Sequence, residues 1–346
     1  PHTPMYWIDI QEHFNDLVLG TYGRGIWILD DLSPFQQMDK SIIKKKMHLF
    51  DLKPSYRFHS ITSSLQMFPE ASTGTDPPNG ASINYWLQEK QEVEIIILNA
   101  ENDTIKTIKD KGIKGFNRVW WDFQGESTDD ITLRTKPLYA EWVSLDKNRE
   151  RKVPFKLSIM APPGTYHVLL KLGEEVMSKK LEVIKDPHSE GTLADIRLQN
   201  GLMKKIYDDL NITANYINSM EIARRQLLDL KSILSNTNQK EVLIALVDSL
   251  ALDFLNIERK LIQLKATGTG QDDVRFKKMI GEKLAYLGGN VPNADFRPAD
   301  SYYEVYELLS DRLKEVGVQF EKLKNERVKE VLDVLSEAGV NMIIIE

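Results

Sequence analysis

The stretch Asp16-Leu17-Val18-Leu19-Gly20-Thr21-Tyr22-Gly23-Arg24-Gly25-Ile26-Trp27-Ile28-Leu29-Asp30-Asp31 decides how the first part of the chain is read. Aliphatic and aromatic residues flank the tight turn Tyr22-Gly23-Arg24, and Asn15-Asp16 is a turn signal just before them. The pattern predicts strands over Asp16–Gly20 and Gly25–Leu29, with a third over Met5–Ile10. Three short strands form an antiparallel meander that cannot bury two faces, and an isolated sheet of this size is marginal in water. The meander is therefore expected to belong to a larger sheet. Gly20, Gly23 and Gly25 have the outward form of a phosphate loop. They stand between strands, however, with no Lys-Ser/Thr following, so hairpin geometry is the reading. Arg24 could project to grip a carboxylate, or stack on Tyr22 or pair with Asp30 or Asp31; the structural role is favoured.

Outward from this stretch the periodicity changes twice. Residues 33–56, punctuated by Pro34, the run Lys44-Lys45-Lys46 and Pro54, read as a linker that wraps rather than packs. Residues 57–185 carry strand candidates at Ser82–Leu87, Glu92–Leu98, Arg118–Phe123, Gly164–Leu170 and Lys179–Ile184. Turn signals lie at Asp76–Gly80, Lys111-Gly112 and Leu172-Gly173-Glu174, a spacing that predicts an Ig-like β-sandwich. In Ala161-Pro162-Pro163-Gly164-Thr165-Tyr166 the prolines stop pairing, and Tyr166 and Val168 are expected to enter the core. After Asp186-Pro187 a 3.6-residue period takes over, predicting an antiparallel helical bundle over 186–346. One helix is expected after Thr192, others over Met220–Leu234, Glu241–Leu264 and Val274–Leu287, the last ended by Gly288-Gly289, and a fifth over Ser301–Ala338 with a break near Gly317. The fold class is thus multidomain, β then α.

The chain has 346 residues, 42% of them hydrophobic, enough for two or three packed domains. Its 45 basic and 51 acidic residues give a net charge of −6, with 24 basic against 27 acidic up to residue 190 and 21 against 24 beyond it. No basic half is hidden, and general nucleic-acid binding is not expected. There is no Cys, which removes thiol nucleophiles, disulfides and Cys-ligated metals. Apolar stretches such as Val93–Leu98 are strand-sized, so no membrane-spanning segment is expected. The chain opens Pro1-His2-Thr3-Pro4, without an initiator Met or signal peptide, and reads as the C-terminal part of something longer.

The segment Asp16–Asp31 followed by Leu32-Ser33-Pro34 resembles the closing blade of sortilin-like, BNR-repeat β-propeller proteins often labelled glycosyl hydrolases. The resemblance extends through Asn117-Arg118-Val119-Trp120-Trp121-Asp122, the Pro-Gly-Thr-Tyr turn and Gly268-Thr269-Gly270-Gln271-Asp272-Asp273-Val274-Arg275-Phe276. It implies that residues 1–32 are the closing strands of a propeller blade, that the partner is an upstream propeller segment of the same protein, and that the protein is secreted, periplasmic or associated with the cell surface. The Asp-box Ser/Thr-x-Asp-x-Gly-x-Thr-Trp is absent from the sequence, as is a recognisable arginine triad or Tyr/Glu nucleophile pair. The implied function is non-catalytic protein interaction or scaffolding. The alternative is an accessory region of a secreted, sialidase-like glycoside hydrolase with its active site in upstream blades, or a carbohydrate-binding module.

No catalytic, cofactor or metal site is expected. The histidines His2, His13, His48, His59, His167 and His188 are isolated, and Asp129-Asp130 and Asp208-Asp209 lack calcium-loop spacing. Trp86, Trp120, Trp121 and Trp142 could form a sugar platform, though core packing is the commoner role. Residues of the helical part such as Leu227, Leu250, Phe254, Leu313 and Leu335 are expected inward, with Arg224-Arg225 wet. Candidate interaction residues are Tyr22, Arg24, Trp27, Arg275 and Phe276.

Overall fold

The computed structural model describes residues 2–59, 78–139, 156–234, 240–266 and 272–340. The chain divides into two compact units, Pro1–Glu126 with Met160–Leu193, and Ser127–Ile159 with Ala194–Glu346. The first holds mixed β sheets and the second is mainly helical.

In the first unit, β1 (Met5–Gln11), β2 (Asp16–Thr21) and β3 (Ile26–Leu29) pair antiparallel as a three-stranded sheet in chain order. The expected meander is present. A second three-stranded sheet runs β4 (Met47–Leu49), β6 (Ala81–Leu87), β9 (Gly115–Trp121). The largest sheet has the order β5 (Ser55–Arg57), β11 (Glu175–Lys185), β10 (Gly164–Leu172), β7 (Gln91–Leu98), β8 (Thr104–Gly112), with β5 parallel to β11 and the other pairs antiparallel. Strand alternation explains the core: Val93, Ile95 and Ile97 of β7 point inward with Val168 and Leu170 of β10, Leu181 and Val183 of β11, and Ile83, Tyr85 and Leu87 of β6. Tyr166 and Val168 are buried, as the Pro-Gly-Thr-Tyr turn implied.

The stretch 33–56 does not behave as a wrapping linker. It forms the short helix α1 (Ser33–Gln37), β4 and most of β5, and buries Met47, Leu49 and Phe50. Its Pro34 sits in the first turn of α1, where no backbone N–H is needed.

The second unit contains α2 (Leu193–Leu234), α3 (Lys240–Leu261), α4 (Asp272–Arg275), α5 (Ile280–Asn290), α6 (Asp300–Lys322) and α7 (Val328–Glu337), the last two joined by a π-helical turn at Leu323–Arg327. Two expected helices are one: α2 runs 42 residues through Asn218-Ser219 without interruption. Gly288 and Gly289 lie inside α5 rather than ending it, and α6 passes through Gly317. Leu227, Leu250, Phe254, Leu313 and Leu335 are buried in one cluster, as their spacing predicts.

Residues 127–159, expected within 57–185, belong to the helical unit; 140–155, and with them Trp142, lie outside the described residues. Ile131, Leu133 and Leu157 join the helical core. The segment is tied to one polar stripe of α2. Asn211 Oδ1 accepts from Asp129 N at 2.8 Å, Asn218 Oδ1 from Thr132 N at 2.8 Å, and Glu221 Oε2 from Arg134 N and from Thr135 N at 2.7 Å. Tyr207 donates to Ser127 O at 3.3 Å.

Candidate functional site

The most exposed apolar region of the described residues is the β1–β3 meander. Antiparallel pairing puts Ile8, Leu19 and Trp27 on one face, and Trp7, Gly20 and Ile26, with Val18 and Ile28, on the other. Trp7 is 70% exposed, Ile8 65%, Ile26 73% and Ile28 60%. Both faces are thus open and apolar. β1 and β3 are the edges of the sheet, so each presents a row of backbone groups without a strand partner among the described residues.

Three of the five candidate interaction residues meet here. Tyr22 and Arg24 lie in the loop between β2 and β3, where Gly23 (φ 71°) and Gly25 (φ 73°) take left-handed backbone and Thr21 Oγ1 donates to Gly25 O at 2.6 Å. Trp27 Nε1 donates to Arg24 O at 3.1 Å, and the Tyr22 ring lies 5.6 Å from that of Tyr6. No described ion pair includes Arg24, and Asp31, one of its expected partners, pairs with Lys53 at 2.8 Å. Arg275 and Phe276 belong to the other unit, Arg275 exposed at the end of α4 and Phe276 half-buried just after it; Gly268, Gly270 and Gln271 lie outside the described residues.

At the foot of the meander is a cleft of about 370 Å³, lined by Phe14, Tyr56, Phe58 and Trp120 together with Asp16, Asp30, Asp31 and Lys53. A polar network builds it. Asp31, itself left-handed at φ 55°, accepts from Ser33 N at 3.1 Å and donates its own N–H to Asp16 Oδ1 at 2.9 Å. Arg118 of β9 donates to the carbonyls of Asp30 at 2.9 Å and Asp31 at 3.4 Å, and to Asn84 Oδ1 at 2.7 Å. Burial raises the Asp31 carboxyl, but hydrogen bonds from Lys53 and Ser33 outweigh it and hold the group below the ordinary value. Sequence reading missed this cleft because its residues come from five separate segments of the chain.

Among the described residues the tryptophans do not share a platform. Trp121 is buried, edge-on to Phe123 at 5.4 Å and to Tyr166 at 5.2 Å; Trp86 packs on Phe116 at 5.5 Å; and only Trp120 lines the cleft. Among the described residues no three His, Asp or Glu side chains gather as metal ligands, and no helix is long and apolar enough to cross a membrane. His48 is held below its ordinary value by burial and by the Lys45 and Lys179 charges.

A buried charge cluster in the helical unit was also unforeseen. Arg224, expected wet, is nearly buried and pairs with Glu221 at 3.0 Å and Glu258 at 2.6 Å, both fully buried, whereas Arg225 is exposed and pairs with Asp229. Burial, and next the charge of Glu221, push the Glu258 carboxyl well above the ordinary range, although Arg224 opposes them. The cluster anchors the 127–135 segment through Glu221.

No family model matches the chain, and comparison with curated proteins and with solved structures likewise finds no match.

Proposed function

We propose that the chain is a non-catalytic, interaction-bearing region of a secreted or periplasmic sortilin-like β-propeller protein. In this reading residues 1–32 complete a blade whose other strands lie upstream, the β region to residue 185 is an Ig-like sandwich, and the helices beyond form an antiparallel bundle. The observation that supports it is the meander with two open apolar faces and two unpaired edges. Burying a large apolar side chain is worth on the order of 1.5–3 kcal/mol, so covering Trp7, Ile8, Ile26 and Ile28 together strongly favours association. Open edges select β-strands as the covering element, because only a strand satisfies their N–H and C=O rows while packing on the pleat.

The test compares amide hydrogen exchange of β1 and β3 in this chain and in the complete natural polypeptide. Outward-pointing edge amides are expected to exchange fast in the chain alone and to be protected when the upstream strands are present. Equal exchange in both overturns the blade assignment. Concentration-dependent dimerisation of the chain that Trp7→Lys abolishes would assign the surface to a second copy instead.

A further inference from the structure

We infer that the cleft at the foot of the meander binds a guanidinium group carried on an aliphatic stem, the end of an arginine side chain. The inference goes beyond the interaction reading and stands whether or not the faces of β1–β3 are covered. It begins from an unusual grouping. Leu17 and Leu29 are the last pair of the β2–β3 ladder, and the residues just past them, Asp16 and Asp30, are both acidic. Like charges brought together on neighbouring strands are destabilising unless a cation joins them. Both carboxylates line the cleft.

The cations at hand are committed elsewhere. Lys53 Nζ is bound to Asp31 Oδ1 at 2.8 Å and to Phe14 O at 2.5 Å. The Arg118 guanidinium is spent on the Asp30 and Asp31 carbonyls and Asn84. Asp16 gives one oxygen to Asp31 N, and the Asp30 carboxylate has no described partner. Three carboxylates against the Lys53 ammonium and the neighbouring Arg118 guanidinium still leave an excess of negative charge, in a concave site where it attracts a cation.

The walls select which cation. Tyr56 and Phe58 stack at 5.6 Å, and Phe14 and Trp120 complete an aromatic lining. A planar guanidinium lies against aromatic faces and forks its N–H groups to two carboxylates at once, whereas a compact ammonium is a hydrated point charge that gains less from either feature. The cleft volume of about 370 Å³ accommodates one such side chain.

The experiment is calorimetric titration of the full chain with N-acetyl-arginine amide, its neutral isostere N-acetyl-citrulline amide, and calcium chloride. Saturable binding of the arginine amide alone is expected, weakened about tenfold or more in Asp30→Asn. The Asn variant keeps the backbone carbonyl that Arg118 uses, and unchanged circular dichroism verifies its fold. Trp120→Ala is expected to weaken binding as well. The inference is overturned if the citrulline amide binds as tightly, if Asp30→Asn leaves affinity unchanged, if calcium alone binds, or if no saturation occurs up to about 10 mM.

Discussion

Glu221 and Glu258 contact the same Arg224 guanidinium, yet exchanging each for Gln should have opposite consequences. Glu221 accepts from Arg134 N, from Thr135 N and Thr135 Oγ1, each at 2.7 Å, and from Arg224 Nη1 at 3.0 Å. Glu258 accepts one described bond, from Arg224 at 2.6 Å, and its Oε1 is buried without an acceptor's usual donor. One arginine serves two buried carboxyls, so the fold favours a proton on Glu258, in keeping with the upward push that burial and Glu221 give it. Wherever Glu258 carries its proton, Glu258→Gln replaces a neutral acid with a neutral amide that still accepts from Arg224, and should cost less than about 1 kcal/mol. Glu221→Gln removes the charge that pairs with Arg224 and leaves one amide oxygen where two carboxylate oxygens took four donors, so its NH₂ faces either the backbone N–H pair or Arg224 and strands a buried donor, at about 3–5 kcal/mol.

The pH dependence separates the two more sharply. With a folded value raised above the unfolded one, the folded state holds the extra proton once pH exceeds about 4.5. The contribution of Glu258 is therefore fully present below that pH and is lost as pH rises toward the folded value, by about 1.4 kcal/mol per unit. Glu258→Gln removes this decline, so its stability relative to the parent should improve as pH rises above about 4.5 until the folded carboxyl itself ionises, in urea melts followed by helical circular dichroism. Parallel pH profiles for parent and variant, or equal destabilisation by Glu258→Gln and Glu221→Gln, would refute the assignment of the proton.

Adjacent glycines of α5 should respond differently to alanine. A Cβ on Gly289 meets open space, so Gly289→Ala should stabilise the helical unit by about 1 kcal/mol, whereas a Cβ on Gly288 would fall 2.7 Å from Leu157 Cδ2 and 3.2 Å from Ile206 Cγ2, cancelling or reversing that gain in thermal melts. Gly80, at φ 133°, would bring a Cβ to 2.1 Å from Trp121 O; Gly80→Ala should lower the urea midpoint of the β unit, by about 2 kcal/mol or more in stability. Tyr85 donates to Asp110 from a buried position, and burial followed by that bond raises its hydroxyl far above the ordinary value; Tyr85→Phe should cost about 1–2 kcal/mol by leaving Asp110 without its donor.

What the sequence made legible was strand and helix type wherever one face is cleanly apolar. The alternation in β7 and β10 and the 3.6 period of α3 and α6 announce themselves because burial and periodicity coincide. β8 did not, since Lys106, Lys109 and Lys111 crowd it; its place at an edge of the five-stranded sheet explains why lysines are tolerated there. β4 and β5 are three residues each, too short to show a period. In the helical part, Gly288-Gly289 read as a stop, yet Gly288 is small to admit Leu157. The cleft was invisible for a different reason: Asp16 and Asp30 are ordinary surface aspartates until the fold brings them to the lining of one cleft.

The uninterrupted length of α2 follows from the segment laid along it. Asn218-Ser219 looks like a break, because asparagine and serine side chains compete for nearby backbone and favour helix ends. Here the Asn218 side chain is occupied: it accepts from Thr132 N and donates to Asp130 O at 2.8 Å. Tyr207, Asn211, Asn218 and Glu221 recur at offsets of four, seven and three, the spacing of one helix face. From Tyr207 to Glu221 the helix rises about 21 Å, and seven extended residues from Ser127 to Arg134 span about 23 Å. The two lengths match, so the N–H groups of Asp129, Thr132, Arg134 and Thr135 along the strap meet acceptors spaced along the helix. A polar stripe in a helix is normally read as the solvent side; here it is the side that recruits a segment from between two β-strands into the helical core, carrying Ile131 and Leu133 with it.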